Sequence, residues 1–216
     1  DPLVKRFDLD RLPPVSRTLA IPLVGRAAAA TLHPGLGFRD PDAAAIVARL
    51  RYRGLSVLAR DRKIVWGSIV RTQAFDAVTR EHAREHPGAP AISLGVGLCT
   101  RARRFGSLAW TELDVPAVIG ARDALLPDPS AARLGVDLTE PATLDRALDV
   151  ALRSDAPALV VAEGLLMFLA PDVRDHVLAR LDARLPPGSR VIFDYLHPII
   201  PRLAPLHGSI RVTRAR

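Results

Sequence analysis

The chain has 216 residues, about half of them apolar, and a formal net charge of +7, enough for one substantial core with no second domain required. Only Lys5 and Lys63 of its 30 basic residues are lysine, and the arginines are scattered among acids rather than interleaved with aromatics, which disfavours nucleic-acid binding. Cys99 is the single cysteine, so an intramolecular disulfide and a thiolate metal centre are excluded.

Residues 1–88 read as an N-terminal helical cap, with helices expected over 42–50 and 72–86 and a break at 13–14. Within the second helix His82 and His86 share the i, i+4 spacing of a metal pair, but the polar stretch REHAREH favours two solvated side chains, and no metal is expected. The segment begins at Asp1 with no basic leader ahead of an apolar core, so the expectation is a soluble, cytoplasmic protein.

From residue 89 onward, short runs rich in Val and Ile alternate with stretches of helical period. Strands are expected over 91–94, 109–113, 133–136, 158–162 and 190–194. The intervening helices include 143–153, with Leu144, Ala147, Leu148, Ala151 and Leu152 on one face, and 172–185, with Val173, Val177, Leu178, Leu181 and Leu185 on one face. Such alternation predicts an α/β fold with a doubly wound, mostly parallel sheet. Residues 89–216 form this core, and with the cap they make one domain. The longest apolar run, 157–171, is broken by Glu163 and is too short for a bilayer of ~30 Å, so no membrane span is expected.

Ligands of open parallel sheets bind beyond the carboxyl ends of the strands. Those positions hold Gly95, Asp114, Asp137, Glu163 and Asp194. Asp114 follows Gly95 by 19 residues, close to the spacing of about 20 at which a glycine turn admits a cofactor and the next strand supplies an acid for ribose hydroxyls. After Gly95-x-Gly97, the third glycine of the dinucleotide fingerprint is replaced by Thr100. That tilts the reading from NAD toward a phosphate-free cofactor, S-adenosylmethionine.

The motifs then come in a recognisable order: TLAIPLVGRA at 18–27, RTQAFD at 71–76, LGVGLCTR at 94–101, ELDVP at 112–116, DL at 137–138 and EGLLMFL at 163–169. Their order and spacing resemble those of the leucine carboxyl methyltransferase family, especially its bacterial branch of polyketide O-methyltransferases. The resemblance implies a class I methyltransferase fold binding S-adenosylmethionine. It assigns Arg71 to the methionine carboxylate, Gly95 and Gly97 to the glycine loop, and Asp114 to the ribose hydroxyls. Asp137 with Leu138 falls to the adenine and Glu163 to the methionine end.

Three departures from the pattern stand out. Cys99 occupies the place of an aspartate in the glycine loop, and Phe168 that of a tyrosine. Only 22 residues follow Asp194, fewer than the helix, paired edge strands and substrate-lining segment that complete this fold, with 209–213 left to supply one edge strand at most. The expected reaction is methyl transfer to a carboxylate or hydroxyl of a small, polyketide-like molecule. No catalytic residue is assigned, although His197 is a candidate base if the acceptor needs one. The alternatives are a non-catalytic member that binds cofactor or a partner protein, which Cys99 and the short C-terminal segment favour, and an NAD-dependent oxidoreductase, which Thr100 disfavours. Oligomeric state and the methyl acceptor are not legible.

Overall fold

The computed structural model describes residues 6–13, 15–52 and 54–195. The cap starts with β1 (Phe7–Asp8) and continues through α1 (Ala20–Leu32) to α2 (Pro41–Ala48). Asp40 caps α2 by accepting from the Ala43 amide at 2.9 Å, with Pro41 in the first turn, where its missing N–H costs nothing. Next comes β2 (Leu50–Arg51), which pairs in parallel with β1, and then the short α3 (Leu55–Leu58).

The long helix α4 (Arg62–Glu85) completes the cap. It begins ten residues before the expected helix at 72, because the Asp61 side chain accepts from the amides of Lys63 and Ile64 at 3.0 and 3.1 Å. Its buried residues, Val65, Ser68, Ile69, Thr72, Phe75, Asp76, Thr79 and His82, recur every three or four positions and form one continuous face. His82 therefore faces inward with no exposed surface, which corrects its reading as a solvated side chain. Its ring lies 4.9 Å from that of His86. Helix α1 crosses α4 so closely that a Cβ on Gly25 would overlap the Ser68 side chain.

The core follows as β3 (Pro90–Leu94), α5 (Arg101–Arg104), β4 (Ala109–Asp114), α6 (Pro116–Leu125) and β5 (Ala132–Gly135). It continues with α7 (Pro141–Ala151), β6 (Leu159–Ala162), α8 (Pro171–Arg184) and β7 (Arg190–Phe193). Strand boundaries differ from the expected ones by a residue or so, and α7 and α8 start at prolines that suit a first helical turn. The five strands are parallel throughout, in the order β5-β4-β3-β6-β7.

One face of the sheet is covered by α7 and α8, whose Leu144, Leu148, Val177 and Leu181 pack against Ile92, Leu94 and Val160. Fully burying each such side chain contributes about 1.5–3 kcal/mol. On another part of the core Phe75 of α4 packs with Ala91, Trp110, Leu159 and Val161. A third cluster joins Leu23 and Ile46 of the cap to Val118 and Leu125 of α6. The expected α/β architecture with a doubly wound parallel sheet is thus observed. No helix among the described residues is long and apolar enough to cross a membrane. His197 and the expected edge strand at 209–213 lie outside the described residues.

Candidate active site

The strand order reverses direction at β3: the chain runs outward through β4 and β5, then crosses back so that β6 lies on the other side of β3. Two loops diverge there, leaving a crevice at the carboxyl edge of the sheet. A cavity of about 240 Å³ occupies it, lined by Arg71, Gly95, Gly97, Cys99, Asp114 and Glu163 together with apolar cap residues Leu19, Ile21 and Pro22.

The first loop leaves β3 with Gly95 and Gly97 at φ of 61° and 51°, a region disfavoured for side chains with a Cβ. A Cβ on Gly95 would also stand 2.8 Å from Leu165 Cδ1. The loop is pinned from outside by Arg122, which donates to the carbonyls of Gly97 and Cys99, both at 2.9 Å. Arg122 is itself held by Glu112, and Arg133 donates to the same carboxylate at 2.9 Å. The ELDVP motif singled out Asp114 without revealing that Glu112, two residues earlier on the same strand, braces the loop through Arg122.

Asp114 ends β4. Its Oδ2 accepts from the Gly97 amide at 2.7 Å and its Oδ1 from the Val115 amide at 2.8 Å. Burial pushes its carboxyl up from the usual range, against the opposing pull of those amides and of Arg122. Asp114 therefore fixes the shape of the glycine loop as well as lining the cavity.

Glu163 follows β6 and is saturated by arginine. Its Oε1 accepts from Arg71 Nε at 3.1 Å and its Oε2 from Arg101 Nη2 at 2.7 Å. Burial opposes its ionisation, but the charges of Arg101, Arg71 and Arg26 outweigh it and hold the carboxyl below its usual value. Arg101 also donates to Asp76 at 2.8 Å, and Arg71 donates to Asp194 at 3.1 Å. Beside this chain of charges, Asp40 accepts from Arg26 at 3.0 Å and from Thr100 at 2.6 Å, while Arg26 donates to the Leu98 carbonyl at 2.8 Å. The cap is thus bolted to the glycine loop by buried, charge-assisted bonds.

Of the residues singled out by sequence, Arg71, Gly95, Gly97, Asp114 and Glu163 meet at the cavity. Asp137 and Leu138 do not line it. Asp137 is exposed and accepts from the amide and hydroxyl of Thr139, which holds its carboxyl below the usual range, and Leu138 packs on the sheet core. Both follow β5, one strand beyond Asp114.

Sequence comparison agrees with the geometry. The family model for leucine carboxyl methyltransferases matches residues 20–182, and the chain belongs to that family. The tetracenomycin polyketide synthesis O-methyltransferase TcmP of Streptomyces glaucescens is 32% identical over 189 residues, covering 85% of this chain and 66% of that protein. A candidate S-adenosyl-L-methionine-dependent methyltransferase of Mycolicibacterium gilvum is 36% identical over 140 residues, covering 59% of this chain and 46% of its own. The chain thus spans about half to two thirds of the length of these relatives. A solved structure of a candidate methyltransferase from Thermobifida fusca superimposes with a TM-score of 0.52 at 24% identity, covering 88% of this chain and 71% of that one, and shares the fold.

Proposed function

We propose that the cavity binds S-adenosylmethionine and that the protein is a methyltransferase acting on an oxygen of a small molecule. The observation that carries this reading is the convergence of Arg71, Gly95, Asp114 and Glu163 on one cavity at the switch point of a parallel sheet. Asp114 and Glu163 end strands that flank β3, so they stand roughly 10 Å apart, two inter-strand spacings. An extended nucleoside–amino acid ligand bridges that gap.

The residues present fit this ligand. Asp114 offers acceptor lone pairs beyond its two amide bonds for vicinal hydroxyls. Arg71 keeps its Nη2 group clear of the bonds to Glu163 and Asp194, available for a carboxylate. A base reaching past Asp114 would lie toward β5. Leu165 is seated on Gly95, where a Cβ would overlap it.

Bound there, the sulfonium supplies an activated methyl group. The chain's own contribution would be alignment and exclusion of water: apolar Leu19, Ile21, Pro22 and Phe168 line the cavity, and Glu163, held ionised by its arginines, would favour the positive charge of the cofactor. Glu163 is held ionised by Arg101 and Arg71, which makes it a poor base for an acceptor's proton. An acceptor that is already an anion, a carboxylate or an acidic phenol, is the substrate class this favours, and TcmP, an O-methyltransferase of polyketide synthesis, suggests an aromatic polyketide acid as the first compound to try.

Incubating the chain with methyl-labelled S-adenosylmethionine and a panel of aromatic carboxylic acids, phenols and alcohols tests this reading. Label should pass to the acids or phenols, whereas transfer to neutral alcohols alone would contradict it. A second reading, binding without turnover, is favoured by the saturation of Glu163 with arginine. Cofactor binding with no labelled product across the panel would select it.

A further inference from the structure

We propose that Asp194 is a positioning residue that holds Arg71 in place for the carboxylate of the ligand. This rests on the reading of the cavity as an S-adenosylmethionine site. Asp194 lies immediately beyond β7, at the far side of β6 from the glycine loop. Its two oxygens do different work: Oδ2 accepts from Arg71 Nη1 at 3.1 Å, and Oδ1 accepts from the Gly164 amide at 2.6 Å. Gly164 has a φ of 68° and directly follows Glu163, whose Oε1 takes Arg71 Nε at 3.1 Å.

Two neighbouring strand ends, tied together through the Gly164 amide, therefore present two carboxylates to one guanidinium, one on Nε and one on Nη1. This fixes the plane of the fork and leaves Nη2 undirected by either acid. The Arg71 side chain is 31% exposed, so without these two bonds it has both the room and the entropy to swing away. Gly164 is favoured at the turn by its left-handed φ, while a Cβ there would make only ordinary contact with Arg71 Nη1 at 3.5 Å. Glu163 divides its two oxygens between Arg71 and Arg101, whereas among the described residues Arg71 is the one guanidinium that Asp194 holds. Substituting Asp194 therefore loosens Arg71 without also releasing Arg101, as substituting Glu163 would.

The variant Asp194→Asn separates the two bonds. The amide oxygen keeps the acceptor for Gly164, while the amide nitrogen sets a donor against Arg71 and removes the negative charge. Binding is measured by calorimetry with three ligands: S-adenosylhomocysteine, its analogue lacking the α-amino group, and 5′-methylthioadenosine, which lacks the carboxylate. The expected result is a loss of about tenfold for the first two, the worth of one charge-assisted bond, with methylthioadenosine unchanged. Equal weakening of all three would show a merely structural role, and loss confined to the amine-bearing ligand would place Asp194 on the ammonium; either overturns the proposal. Wild-type protein that binds none of the three would overturn the cofactor reading itself, and the proposal with it.

Discussion

Arg101 Nη2 and Glu163 Oε2 meet at 2.7 Å with side chains only 2% and 10% exposed, joining the helix after the glycine loop to the strand end on the other side of β3. The same guanidinium reaches Asp76 of α4 at 2.8 Å. Its proton is held more tightly than in a free arginine: burial works against the charge, but the neighbouring Cys99, Glu163 and Asp76 prevail.

Among the described residues, removing Arg101 leaves Asp76 paired with Arg104 alone and Glu163 with Arg71 alone. Arg101→Met should therefore destabilise the fold by about 2–3 kcal/mol, since two buried carboxylates each lose a charge-assisted bond but keep one arginine. Urea denaturation checks this. A loss under about 1 kcal/mol would mean that the network carries little of the stability.

Acid should weaken the same junction. Glu163 has a folded value below its unfolded 4.5, so its stabilising contribution is complete above that pH and is lost as pH falls through the folded value. Glu163→Gln should flatten the stability profile below pH 4.5 relative to wild type.

His82 acts at higher pH. Burial, then the nearby His86, lowers it from 6.5, outweighing Glu85, so the unfolded chain takes up a proton that the folded chain resists. Stability should fall as pH drops below about 6.5, and the fall should be absent in His82→Leu. Thermal melts at pH 8 and pH 5.5 make the comparison; an unchanged pH dependence in the variant would contradict the buried, neutral assignment.

The closeness of α1 and α4 rests on Gly25. Because an added methyl overlaps Ser68, Gly25→Ala should cost about 1–3 kcal/mol despite the better helix propensity of alanine. The second substitution Ser68→Gly should restore part of that loss. Without such rescue the two helices would not be in contact at this point.

Cys99 offers a reporter of the cavity, since it is half-buried at its wall with Arg101 Nη1 3.6 Å from the sulfur. Saturating S-adenosylhomocysteine should slow alkylation by iodoacetamide in proportion to occupancy, read by mass spectrometry. Alkylation at an unaltered rate would put the ligand elsewhere.

The strands and the residues at their ends were legible in the sequence because alternation of apolar runs with amphipathic stretches is a local signal. What lies in contact across the fold was not. Arg71 and Glu163 are 92 positions apart, and nothing local announces that they pair. The early start of α4 was hidden by Gly67 and by the β-branched Ile64, Val65, Ile69 and Val70, although Asp61 was a readable cap. His82 misled because its neighbours in sequence are polar, while burial followed the helical face shared with Phe75 and Thr79. Asp137 shows the converse: it follows a strand end as expected, but its carboxylate is engaged locally by Thr139 and it does not line the cavity.

The most direct test of the account is calorimetric titration of the chain with S-adenosylhomocysteine and with NAD, alongside Arg71→Ala and Asp114→Ala. The account predicts micromolar binding of S-adenosylhomocysteine, weakened at least tenfold by either substitution, and no binding of NAD. Absence of S-adenosylhomocysteine binding, or binding indifferent to both substitutions, would contradict it.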